Sequence, residues 1–188
     1  MQLERCGWAM SDAAEQVYHD TEWGVPNRDE HYLFEMLNLE GAQAGLSWRL
    51  ILNKRAAYKD AFHQFDPDKC AMMTDEELEH IRETAAIVKN KLKIGGVRKN
   101  AIAFLKVQEE FGSFADYIWG YTDGKPIINH WTDMTQMPTS NGLSEQISKD
   151  LKKRGFIFVG PVIIYSYLQA IGMIDDHVVT CPYHTENR

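Results

Sequence analysis

Cys6 and His19 lie near the start of the chain, and His177 and Cys181 lie near its end. Thiolate and imidazole are preferred zinc donors, and four of them in a tetrahedron close a structural site. One metal taking all four would tie the N-terminal segment to the C-terminal one. His177 and Cys181 stand four residues apart, so a single helical turn would aim both at one spot. The spacing of Cys6 and His19 has no fixed meaning. The same residues fit a plainer reading, two buried thiols and two ordinary histidines. A catalytic zinc would keep a position open for water, which four protein donors do not leave. His184 could replace one of the four.

A second chemical feature is a carboxylate on an apolar stripe. At about 100° per residue, Leu33, Leu37, Glu40 and Ala44 fall on one helical face. Burying an unpaired carboxylate is costly, so an inward Glu40 needs a partner, a cation or a pocket. The alternative is a helix that ends near Gly41 and lets Glu40 swing into solvent. Trp8, Trp23 and Trp48 lie within the first 48 residues, and Tyr18 adjoins His19. Aromatic faces around a carboxylate would receive a flat, cationic heterocycle by stacking and cation–π attraction. Ordinary core packing is the other use of such rings.

A third feature is the segment LKKRGFIFVGPVIIYSYLQAIG, residues 151–172. It reads as helix, glycine-bounded turn, helix, with Gly155 and Gly160 bracketing the turn. Free backbone N–H groups after Gly160, beside Lys152, Lys153 and Arg154, suit a phosphate contact that ignores base sequence.

The elements that must carry these groups are mostly helices. Acids open a helix at 29–44, and Thr74 with Glu77 forms a capping box before Leu78 and Ile81. Apolar spacing marks helices over 97–111 and 143–154, the second stopped by Gly155. Pro161 starts the last long helix, which Gly172 ends. The stretch 122–142 is the longest loop, and IFV at 157–159 is too short for a sheet. The expected fold is all-α: one domain over residues 1–188, with two helical lobes around a groove as one arrangement.

The 188 residues suffice for one ordinary core, and three cysteines suit a reducing compartment better than a disulfide framework. Cys70 reads as a small core residue. The sequence has no membrane span and no signal peptide, so a cytoplasmic location is expected. The net charge of −7 disfavours a polyanionic partner, but residues 89–106 carry six basic and no acidic side chains. Such asymmetry can aim a positive field locally, and a solvated lysine-rich helix face accounts for it equally.

Taken together, ERCGW (4–8), YHDTEWGVP (18–26), FEMLNLEGAQAGLSW (34–48), FHQFDP (62–67), the 151–172 segment and DDHVVTC (175–181) resemble the 3-methyladenine DNA glycosylase I family. The resemblance spans nearly the whole chain. It implies a helix–hairpin–helix DNA glycosylase fold with a structural zinc joining the termini through Cys6, His19, His177 and Cys181. It implies a base pocket at Glu40, Tyr18 and Trp48, with Glu40 and Tyr18 acting in catalysis and Trp8 and Trp23 as further walls. Gly45 and Leu46 would fill the gap left by a flipped nucleotide. The implied substrate is duplex DNA carrying an alkylated purine, and the implied product is free 3-methyladenine. The enzyme is expected to act as a monomer and without strand cleavage, since no lysine sits in the pocket motifs. Neither Asp175 nor Asp176 is assigned a catalytic role. Asn38 and Ala42, which replace a cysteine or glycine of some relatives, are expected to matter little.

Overall fold

The computed structural model describes residues 4–188. Its helices are α1 (Ala13–Thr21), α2 (Glu30–Ala42), α3 (Trp48–Ala61), α4 (Pro67–Ala71), α5 (Asp75–Thr84), α6 (Lys91–Phe111), α7 (Phe114–Gly120), α8 (Gly142–Lys153) and α9 (Pro161–Ala170). Several expected helix ends hold, but α6 begins at Lys91, six residues before the stretch whose apolar spacing marked it. Thr74 and Glu77 satisfy each other's backbone in a capping box, and Pro161 occupies the first turn of α9. Gly155 ends α8 at φ +95°, a conformation that a side chain would strain. Asp12, Asp29, Ser47 and Asn90 cap α1, α2, α3 and α6.

The all-α expectation needs one small amendment. The loop at 122–142 contains a two-residue strand, β1 (Ile127–Ile128), paired in parallel with β2 (Ile174–Asp175) just after α9. Two residues of alternation are too few to see in a sequence.

Helix α2 runs through the centre of the molecule, packing on α3, α6, α7 and α9. From Leu33 to Ala42 every residue is buried. No single stripe therefore decides whether Glu40 faces inward, because the helix has no wet side at that depth. The helix ends at Ala42, so Ala44 is not part of it.

The turn between α8 and α9 is locked onto α2 and α6. Asn100 of α6 donates to the Asn38 side chain (3.0 Å) and the Ile157 carbonyl (3.3 Å), and it accepts from the Ile157 amide (2.9 Å). Phe158 holds φ +55°, and a Cβ on Gly41 would come within 3.1 Å of its own Cβ. Asn38 thus carries more structural weight than its sequence context suggested. Truncating Asn100 strands buried polar groups on both neighbours. Asn100→Ala is expected to lower unfolding free energy by about 2 kcal/mol in denaturant titration, and a change under about 0.5 kcal/mol would show the turn to be held by packing alone.

Candidate active site and metal cluster

Tyr18 and His19 sit side by side on α1 and serve two different places. Tyr18 faces Trp48, with ring centroids 5.2 Å apart, while His19 meets the C-terminal segment. Trp8 packs edge-on against Trp23 at 5.1 Å and His19 at 5.4 Å, joining the two places. Arg49, next to Trp48, donates to Glu15 of α1 (3.1 Å), holding the start of α3 against α1.

Together these rings enclose a cavity of about 300 Å³, lined by Trp8, Tyr18, Trp23, Glu40 and Trp48. The sequence-predicted pocket residues therefore all converge. The lining also includes Glu15, Gln43, Met134, Met137, Ser166 and Gln169. The two methionines come from the long loop and Ser166 and Gln169 from α9, with no local pattern to announce them. A second cavity, about 180 Å³, shares Glu40, Gln43 and Ser166 and runs out to Gly45, Leu46 and Val162.

Glu40 is 4% exposed. Burial alone pushes its carboxyl up to about 8, with no cation or hydrogen-bond donor among the described residues to offset the loss of water. Tyr18 is also driven upward, by burial first and then by the nearby Glu40 charge. At neutral pH burial therefore favours the protonated, neutral form of Glu40. Asp175 and Asp176 offer no such reserve. Asp176 accepts from Asn129, Trp131, Tyr165 and Gln169, and Asp175 accepts from the His177 ring and from Thr185.

At the termini, donor atoms of Cys6, His19 and Cys181 lie within 4.8 Å of one another and are buried, a group that could hold a metal ion. The Cys181 sulfur lies 3.6 Å from His19 Nε2. The mutual influence of Cys6 and Cys181 pushes the Cys181 thiol down and the Cys6 thiol up. Two cysteine sulfurs beside an imidazole are the donor types zinc takes. His19 Nδ1 contacts Asp20 (2.8 Å) and His177 Nδ1 contacts Asp175 (2.7 Å), which leaves each Nε2 as the nitrogen turned toward the cluster. Carboxylate support of this kind orients metal-bound histidines. His177 is fully buried here, with Nε2 3.4 Å from the His19 carbonyl, outside the three-residue group. The segment from His177 to Cys181 is irregular rather than a helical turn, so the expected i, i+4 helical geometry is not what brings it near. His184 is excluded as a substitute ligand: Nε2 bonds the Asn129 carbonyl and Nδ1 accepts from the Glu186 amide.

The candidate DNA-contacting residues lie elsewhere on the surface. Gly45 has φ +77° and Leu46 is exposed, while Lys93 donates to the Ala42 and Ala44 carbonyls and so fixes the base of their loop. Lys152, Lys153 and Gly155 are exposed, and Gly160 caps α9. Arg154 bonds Asp150 and Glu110, each at 2.7 Å, and stacks on Phe111 and Tyr117.

The methyladenine glycosylase family matches residues 8–184. The chain belongs to that family. It is thus an enzyme of the glycosylase class, a hydrolase of N-glycosyl bonds. It is 45% identical to DNA-3-methyladenine glycosylase 1 of Escherichia coli over 99% of this chain and all of that one. It is 41% identical to DNA-3-methyladenine glycosylase of Haemophilus influenzae over 96% of this chain and 98% of that one. A Staphylococcus aureus 3-methyladenine DNA glycosylase I, solved to explain 3-methyladenine recognition, superposes with a TM-score of 0.94 at 36% identity, over 98% of each chain.

The raised acid has a consequence for stability. The folded protein keeps the Glu40 proton, whereas the unfolded chain releases it above about pH 4.5. Folding stability therefore falls as pH rises from about 4.5 to about 8. Glutamine cannot ionise, so the stability of Glu40→Gln relative to the parent should rise by on the order of 3 kcal/mol between pH 5 and pH 8. Thermal unfolding at both pH values reads this out, and a pH-independent difference would mean Glu40 titrates as an ordinary carboxyl.

Proposed function

We propose that this enzyme removes 3-methyladenine from alkylated duplex DNA, acting as a monofunctional base-excision repair glycosylase. The observation that carries this reading is the partnerless Glu40 carboxyl within the aromatic cavity. The named activity of the relatives supports it. Methylation at N3 makes the adenine cationic while it is still attached to the sugar. A fixed positive charge within hydrogen-bond reach ionises Glu40 and compensates its burial. Neutral adenine brings no such charge, so the same cavity rejects it.

The lesion must leave the helical stack to reach Glu40. Leu46, with Gly45, fills the vacated space, and the second cavity leads from that loop to Glu40. Lys152, Lys153 and the backbone between Gly155 and Gly160 meet the phosphates, with Arg154 bracing the turn. Tyr18 and Trp48 stack on the base, and Trp8 and Trp23 close the walls. The bond from base to C1′ breaks with its electron pair passing to the base, which leaves as neutral 3-methyladenine. Water adds oxygen to C1′ and releases a proton to solvent. Glu40 holds the cationic base in the cavity before the bond breaks, and no lysine lines the cavity to form a covalent intermediate. The protein acts as a monomer.

Cys6, His19 and Cys181, with His177 as fourth donor, hold one structural zinc. When bound, zinc supplies a redox-inert cross-link between the termini. His19 then fixes the edge of Trp8, and Trp8 fixes Trp23, so the clasp sets the cavity walls.

Isothermal titration with the 3,9-dimethyladeninium cation, which keeps the charge of the lesion and carries a methyl group in place of the sugar, tests the reader role. Glu40→Gln should weaken binding at least about tenfold, the cost of one charge-assisted hydrogen bond, and unchanged affinity would remove Glu40 from recognition. Excision from methylated duplex by Leu46→Gly should slow more than excision from single strands, whereas equal slowing would refute the wedge. Metal analysis should find about one zinc per chain, lost together with thermal stability in Cys181→Ser; a metal-free, fully stable parent would contradict the clasp.

A further inference from the structure

The aromatic part of the pocket is rigid. Trp8, Tyr18, Trp23 and Trp48 pack on one another, and Glu40 sits on a helix buried all round. The remaining apolar lining is Met134 and Met137, from the segment 129–137 that crosses over α9.

That segment is anchored at several points. The Asn129 amide bonds the Asp175 carbonyl at 3.0 Å, and the Val179 amide bonds the Trp131 carbonyl at 2.9 Å. The Asn129 and Trp131 side chains both donate to one oxygen of Asp176 at 2.7 Å. The other oxygen accepts from Tyr165 (2.5 Å) and Gln169 (2.7 Å) of α9. Asp176 has no exposed surface, so one buried carboxylate binds the crossing segment to the helix beneath it. Gln169 also lines the cavity and contacts the Met137 sulfur at 3.3 Å. Within the segment, Gln136 accepts from the Thr132 and Asp133 amides.

The backbone that carries the methionines is therefore fixed, while their unbranched side chains are the adjustable surface. The chemistry proposed above uses none of these groups. We propose that Met134 and Met137 are specificity-determining residues that limit the size of the alkyl group on the bound base, and that Asp176 is the positioning residue that holds them. This rests on the base-binding reading of the cavity. With the N3-alkyl group turned toward Met134 and Met137, a methylene beyond the methyl competes with the thioethers for space.

Free 3-methyladenine and free 3-ethyladenine, titrated into the parent and into Met134→Ala, Met137→Ala and the double variant, test the proposal. One methylene in an apolar pocket is worth about tenfold or more, so the double variant should shift relative affinity toward 3-ethyladenine by about that factor. Asp176→Asn replaces an acceptor with a donor amid four donors, and it should shift the ratio in the same direction. A role in folding alone would weaken both ligands together and leave the ratio where it was. A parent that binds 3-methyladenine while every variant keeps the parental ratio overturns this inference and leaves the pocket reading intact. A parent that binds neither ligand overturns both. Glu40→Gln serves as control, weakening both ligands at an unchanged ratio.

Discussion

Burial of Glu40 without a partner is the constraint around which the molecule is arranged. A carboxyl deprived of water, and given neither cation nor donor, either stays neutral or waits for a ligand to compensate it. Most of the fold's effort goes into keeping it there. At Glu40's depth α2 is buried on every face, and the Glu40 side chain lines the aromatic cavity rather than the outer surface. The rings around it are themselves braced by edge contacts, and Arg49 pins the start of α3 to α1. Stability surrendered at such a site is a common accompaniment of function.

Two buried polar systems keep the surrounding walls in register. The Cys6–His19–Cys181 group draws the first described residues onto the last ones, and through Trp8 it touches the cavity. The Asp176 carboxylate ties the crossing loop to α9 and through Gln169 reaches the same cavity from another side. Asp175 and Asp176, adjacent in sequence, thus serve separate networks: one bonds the His177 ring, the other ties Asn129 and Trp131 of the loop to Tyr165 and Gln169 of α9. Neither has an oxygen left for proton transfer.

Much of the helical frame was legible because its signals are local. A capping pair at Thr74 and Glu77, Pro161 at a helix start and Gly155 after a helix end each act within a few residues. The convergence of Tyr18, Glu40 and Trp48 followed from the family resemblance, supported by the oddity of an acid in an apolar run. What escaped was long-range. Asn100 finds Asn38 and Ile157 from 62 and 57 residues away along the chain. Met134 and Met137 sit in a loop with no periodicity, and β1 pairs across a separation no sequence window spans. The wheel projection reached the right side of Glu40 for an incomplete reason, since α2 is buried on all faces. His177 and Cys181 approach through irregular chain, where a spacing of four carries no geometric promise.

The protonation state of Glu40 is the quantity on which the account turns, and site-resolved carbon NMR of its carboxyl measures it directly. In the free protein the resonance should titrate near pH 8, as expected for an acid held neutral by burial. With the 3,9-dimethyladeninium cation bound, in which a methyl group replaces the sugar and the positive charge is kept, the same carbon should report a carboxylate at neutral pH. A free-protein titration near 4.5, unmoved by ligand, would contradict the account, because Glu40 would then be an ordinary solvated carboxylate with no charge to reserve for a cationic base.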